Sequence, residues 1–110
     1  MHELAIIEGV VEQVTGRLPD ARISSVRLEI GVLSGVVPDS LRFCFDLATH
    51  GTGLQGASLE ITEIPGRCRC RACGRVFAPE HPPILLCPCG SADAEVLAGH
   101  ELTIASVTVA

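Results

Sequence analysis

Four cysteines in two close pairs dominate the chemistry that this sequence offers: Cys70 and Cys73 with two residues between them, then, after thirteen residues, Cys87 and Cys89 with only Pro88 between. Thiolates are soft donors, and two such pairs can surround one Zn(II) tetrahedrally. An ion that holds both pairs replaces the apolar core that roughly thirty residues cannot supply. The second pair is one residue short. In an extended C-x-C the two side chains point to opposite sides, so either Cys87-Pro88-Cys89 turns unusually tightly or one of its thiols yields to Cys68 or to His81. The expected ligands are Cys70, Cys73, Cys87 and Cys89, with Cys68 in reserve. Such a site is structural. Four thiolates close the coordination sphere, whereas a catalytic zinc keeps an open position beside a general base. The chain has no H-E-x-x-H, and His2-Glu3 lacks the spacing of a zinc deaminase. A zinc hydrolase, and catalysis in general, is therefore not expected.

A second set of donors opens the sequence, Met1-His2-Glu3-Leu4. An α-amine, an imidazole on the second residue and deprotonatable backbone amides lie within a few bonds of one another. They can wrap one ion with nitrogen in a plane, which suits Ni(II) or Cu(II). His2 is also bulky enough to keep an aminopeptidase from removing Met1. The other histidines have weaker settings: His50 at a helix end, His81 beside Pro82 and Pro83, and His100 at the start of the last strand. His100 could approach the amino terminus if that strand packs on the first helix.

Composition restricts the remaining roles. With 47% hydrophobic and 19% charged residues, the 110-residue chain is a folding sequence and not a disordered one. Thirteen acidic residues against eight basic ones, all of them arginine, give a net charge of -5, which disfavours binding to nucleic-acid backbones. Arg67, Arg69, Arg71 and Arg75 form a local exception around the cysteines. They offset the negative charge of a zinc tetrathiolate; the rival reading, a zinc ribbon that grips nucleic acid or docks on protein, finds few aromatic side chains for stacking. Glu3 and Glu8 stand where a secretory signal would be basic, and no apolar run approaches the roughly 18 residues of a membrane span. A cytoplasmic protein with no membrane role is expected. In a reducing compartment its six cysteines are metal ligands before they are disulfides.

The elements that must position these groups are legible from periodicity. Leu4, Ile7, Val11, Val14 and Leu18 recur at helical steps, so a helix runs from Glu3 to Leu18 until Pro19 and Asp20 break it. Val26, Leu28, Ile30 and Val32 alternate with Ser25, Arg27, Glu29 and Gly31, the period of a half-buried strand. Pro38 suits the first turn of a second helix with Leu41, Cys44, Phe45 and Ala48 on one face. Alternation resumes at Leu59 and Ile61. From about Pro65 to Val96 the apolar periodicity disappears, as in a separate metal-built module. In the last strand Leu102 and Ile104 keep one phase and Val107 and Val109 the other, which predicts a bulge or a strand buried on both faces.

Together, "MHELAI", "RLEIG" followed by "SGVVPDSLRFCF", the glycine-rich turn before "LEI", the cysteine pairs and "CGS" ahead of the final strand resemble the HypA/HybF family of hydrogenase nickel-incorporation metallochaperones. The likeness covers essentially the whole chain and departs only at the short Cys87-Pro88-Cys89 knuckle. It implies an α+β fold with two helices packed on a small mixed three-stranded sheet and an inserted zinc-ribbon-like module. The nickel-binding domain would be residues 1-64 plus 97-110, and the zinc-binding module residues 65-96. It also implies Ni(II) as cargo at Met1, His2 and Glu3, with His2 the essential side chain and backbone nitrogens completing the plane. Structural Zn(II) would sit at Cys70, Cys73, Cys87 and Cys89. The implied partners are a HypB-type GTPase and the precursor of the nickel–iron hydrogenase large subunit, with urease maturation proteins in some members, and neither nucleic acid nor membrane.

Overall fold

The computed structural model describes residues 2–80 and 84–110. Along the chain run α1 (Glu3–Arg17), β1 (Ile23–Gly31), α2 (Pro38–Ala48), β2 (Ser58–Ile64), β3 (Arg67–Cys70), β4 (Val76–Phe77), β5 (Ala94–Ala98) and β6 (Leu102–Val109). This is the expected α+β fold, with two three-stranded sheets in the orders β2-β1-β6 and β4-β3-β5. The chain divides into two compact units: one takes the chain up to Leu28, Val36–Thr62 and Thr103–Ala110, the other Glu29–Gly35 and Glu63–Leu102.

In the first unit α1 and α2 pack on each other. Ile7, Val10 and Val14 of α1 are buried, as are Leu41 and Phe45 of α2, Ile23, Val26 and Leu28 of β1, and Leu54. The buried stripe of α1 is rotated from the one periodicity suggests: Val10 lies deeper than Val11, and Leu4 is 46% exposed. The cause is Glu3, only 6% exposed. Its carboxylate accepts the backbone N–H of Val37 at 3.3 Å, and with Glu3 turned inward its neighbour Leu4, about 100° further round the helix, must face outward. Leu18 follows the last helical residue in a non-helical conformation and is also exposed. Phe45 is fully enclosed; Phe45→Ala should cost about 3–5 kcal/mol, read as a lowered midpoint of helix unfolding by circular dichroism.

The first sheet is mixed. Val32 N–H donates to Ile64 C=O at 3.0 Å, and Ile23 N–H donates to Gly53 C=O at 2.9 Å, so β1 and β2 run the same way across the α2 crossover. Gly31 N–H donates to Glu101 C=O and Ala110 N–H to Arg22 C=O, both at 2.8 Å, so β6 runs against β1. Val26, Leu28 and Ile30 are buried as the alternation requires, whereas Val32 lies in the turn after β1 and is exposed. β6, at the sheet edge, is exposed at most positions, so it is not buried on both faces. Ile104 and Val107, three residues apart, are half-buried, while Leu102 and Val109 are exposed.

In the second unit β3 pairs antiparallel with β4 and β5, setting Cys68 opposite Phe77 on one side and Val96 on the other. Strict alternation buries Cys68 and Cys70 and exposes Arg67 and Arg69. Cys68, Cys70, Phe77 and Cys87 form its core, with Leu33, Leu85, Ala94 and Val96 packed against them. Three backbones meet beside it. A Cβ on Gly31 would overlap the Gly99 carbonyl, and one on Gly99, where φ is +117°, would lie 2.9 Å from the Gly66 Cα.

Candidate metal centres

The first knuckle is a turn built on β3. Gly74 N–H returns to Cys70 C=O and Cys70 N–H donates to Arg75 C=O, both at 2.8 Å, and Gly74 takes φ +78°, a conformation favouring glycine. The second knuckle answers the question raised by its missing residue. Gly90 N–H donates to Cys87 C=O at 2.8 Å, closing a four-residue turn with Pro88 and Cys89 at its centre, and Gly90 itself has φ +98°. Cys87 N–H, in turn, donates to Ser91 C=O at 2.9 Å. The turn brings both thiols of the pair to one side, within 4.8 Å of the sulfurs of Cys70 and Cys73.

The sulfurs of Cys70, Cys73, Cys87 and Cys89 all lie within 4.8 Å of one another. Cys70 and Cys89 are in contact at 3.7 Å, as are Cys73 and Cys87. A zinc ion with bonds of about 2.3 Å to four sulfurs sets neighbouring sulfurs about 3.8 Å apart, so spacing and donor chemistry both fit a thiolate-bound metal of that size. Backbone N–H groups aim at the sulfurs. Those of Cys73, first, and Ala72 hold the Cys70 thiol down to about 6 against the effect of burial, with help from the Cys89 and Cys73 thiols. The Cys89 N–H pulls Cys87 down, yet burial and three proton-sharing thiol neighbours outweigh it and push Cys87 up to about 12. One sulfur of the cluster thus carries charge readily and another resists it.

Cys68 does not join the cluster: it is buried in the apolar core, and desolvation raises its thiol. His81 lies outside the described residues. Two of the four arginines make ion pairs. Arg71 pairs with Asp93 at 2.9 Å and Arg69 with Glu95 at 3.7 Å, the latter directly across the β3–β5 ladder. Half of that basic cluster is therefore paired with acidic residues on β5 or just before it. Exposed pairs of this kind contribute about 1 kcal/mol or less each.

At the other candidate centre, His2 is exposed and occupies the N-cap position of α1, with no capping bond from its imidazole. Its carbonyl accepts the Ile6 N–H at 3.0 Å, the first bond of the helical ladder. The N–H groups of the first turn precede any carbonyl partner in the helix, so the ladder does not claim the amide of His2. Met1 lies outside the described residues. Glu3 is tied to Val37, the N-cap residue of α2, a link no spacing in the sequence signals. Glu3 and Leu4 line a shallow groove with Asp39, Ser40, Phe43 and Cys44. Cys44 is half-buried there. His50 and His100 are both exposed. Among the described residues no helix is long and apolar enough to cross a membrane.

Known proteins match this arrangement along its length. The family model described as hydrogenase/urease nickel incorporation, metallochaperone, HypA, matches residues 1–109. A hydrogenase maturation factor HypA of Streptomyces avermitilis is 48% identical over 112 residues, covering 97% of this chain and 86% of that one. Another, of Nostoc punctiforme, is 45% identical over 109 residues, covering 99% and 96%. The solution structure of the nickel metallochaperone HypA from Helicobacter pylori shares the fold, with a TM-score of 0.65 at 20% identity over 99% of this chain and 97% of that one. These are maturation factors and metallochaperones, not catalysts. With the family model matching residues 1–109 and relatives at 45–48% identity along its length, this protein belongs to the HypA family of hydrogenase/urease nickel-incorporation metallochaperones.

Proposed function

We propose that the chain carries Ni(II) at its amino terminus, on Met1, His2 and Glu3, and delivers it to the large subunit of a nickel–iron hydrogenase during maturation. The observation that carries this reading is the setting of His2. It is an exposed imidazole with no capping bond at the N-cap position of α1, in a chain of a nickel-incorporation family. His2 is the essential side chain, and backbone nitrogens complete the plane. Glu3 contributes its amide, while its carboxylate is occupied with Val37. A carrier must hold its ion firmly enough to withhold it from the medium and loosely enough to pass it on, and a site at an exposed chain end suits that exchange. Geometry alone does not reject Cu(II), which binds nitrogen more tightly, so metal availability sets part of the selectivity.

Structural zinc at Cys70, Cys73, Cys87 and Cys89 completes the reading. Residues 65-96 serve as the zinc-binding module, and residues 1-64 plus 97-110 as the nickel-binding domain. The partners are a HypB-type GTPase and the hydrogenase large-subunit precursor in the cytoplasm, with urease maturation proteins as a second route. The alternative, a docking zinc ribbon with an idle amino terminus, is weakened by the pairing of Arg69 and Arg71 with acidic residues.

The test is calorimetric titration of Ni(II) into zinc-loaded protein whose first residue is Met1. One equivalent with a square-planar absorption spectrum is the expected result. The sequence contains no lysine, so the α-amine is the one amine that acetylation can block, and hydroxylamine then frees any acylated thiol or imidazole. Acetylated protein should lose that equivalent; equal uptake before and after acetylation would sink the proposed site. Zinc uptake should weaken as pH falls, because each thiol proton must be displaced; the Cys87 thiol, pushed up to about 12, still holds its proton at neutral pH. Competition with a chelator at several pH values measures this, and a flat profile would contradict thiolate ligation.

A further inference from the structure

We infer that the four-thiol cluster is also an oxidative modification site, at which peroxide forms two disulfides that cross from one knuckle to the other, Cys70 to Cys89 and Cys73 to Cys87. The bond pattern rests on the sulfur positions. Only the release of an ion during the reaction rests on the zinc reading above.

Two sulfur contacts at 3.7 Å run between knuckles, Cys70 with Cys89 and Cys73 with Cys87. Each joins an exposed thiol to a buried one: Cys89 and Cys73 are exposed, Cys70 and Cys87 buried. That division assigns the steps. A peroxide reaches the exposed sulfur first, and its thiolate attacks one peroxide oxygen; the O–O bond breaks, hydroxide leaves, and a sulfenic acid remains. The buried thiolate then attacks the sulfenic sulfur, the S–S bond forms and a second hydroxide departs. Summed and protonated, two thiols and one hydrogen peroxide give one disulfide and two waters. The sulfurs lose their charge and with it their hold on a divalent ion. Cys68 is not among the converging sulfurs: it is fully buried in the apolar core, out of reach of peroxide, and remains a thiol.

Bonds across the knuckles would do for the chain what the ion does. They tie the turn after β3 to the turn at Cys87–Gly90. Bonds within a knuckle would leave the two turns free of each other. The cluster can therefore give up its metal to an oxidant without letting go of its fold, and a dithiol reductant with fresh zinc restores the starting state.

The experiment treats zinc-loaded wild-type protein with hydrogen peroxide, follows the released ion with a chromogenic chelator, alkylates the remaining thiols, and maps bonds by tryptic digestion and tandem mass spectrometry. Trypsin cuts after Arg69, Arg71 and Arg75, and fragmentation beside Pro88 separates Cys87 from Cys89. Because Cys68-Arg69 and Cys70-Arg71 have equal mass, Cys68→Ala is mapped in parallel. Expected are Cys70–Cys89 and Cys73–Cys87 bonds, an alkylated Cys68, and ion release in step with disulfide formation. Bonds within a knuckle, the opposite cross-pairing, a bond to Cys68, or sulfinic acids without disulfides would each overturn the inference. Protein that takes up no zinc defeats the zinc reading instead, and the bond map of that same sample still decides the pairing.

Discussion

Removing the metal from the cysteine cluster is expected to unfold the unit formed by Glu29–Gly35 and Glu63–Leu102 while α1 and α2 survive. Of the four buried side chains in the cluster at its core, three are cysteines and Phe77 is the sole aromatic. β3 has four residues and β4 two, too little pairing to stand without help. Structural zinc sites supply an apparent free energy of about 10–16 kcal/mol at neutral pH. That exceeds anything this small apolar cluster can offer. Amide exchange after treatment with a strong chelator should show protection lost at β3 and β5 and kept in α1 and α2. Cys70→Ser should reproduce the loss. Unchanged protection at β3 would mean that the core stands without the ion and that the thiols have another purpose.

His2→Ala is expected to lower nickel affinity by roughly 100-fold or more, which corresponds to about 2.7 kcal/mol, with the helices untouched. The imidazole is exposed and makes no capping bond, so its removal costs the fold little. It is the only side-chain nitrogen among the first residues, so removing it leaves a planar site incomplete. The comparison that decides is calorimetric affinity beside the thermal midpoint of the same variant. Lost affinity at an unchanged midpoint supports a ligand. If nickel binds the variant as it binds the wild type, the opening histidine has no part in the carrier.

Much of this architecture could be read from residue patterns, and the exceptions have physical causes. Both helices and the strand between them follow from spacing, because their burial is one-sided. The rotation of the α1 stripe does not, since it depends on a carboxylate reaching a backbone N–H 34 residues away. The short strands of the metal unit were hidden because cysteine can be read as a ligand or as a small apolar residue. In "RCRC" it is both, and the polar and apolar alternation of β3 was present all along. The convergence of Cys87 and Cys89 depends on a turn closed at Gly90, which spacing alone left open. The partners of Arg69 and Arg71 become visible only once β5 is laid against β3.

The contact between Gly66 and Gly99 means that the chain departs for β3 and returns from β5 at nearly one point. A loop whose ends already meet can lengthen at little entropic cost, since closure grows only with the logarithm of its length. Insertions and deletions between the two knuckles should therefore be absorbed locally, without pulling on the anchors. Substitution at the anchors themselves has no such latitude. Any side chain at Gly99 meets backbone at once, and its positive φ penalises every residue except glycine. Divergence within such a chain is thus channelled: length is free to drift in the spacer between the cysteine pairs, while the identity of two small residues at its base is not.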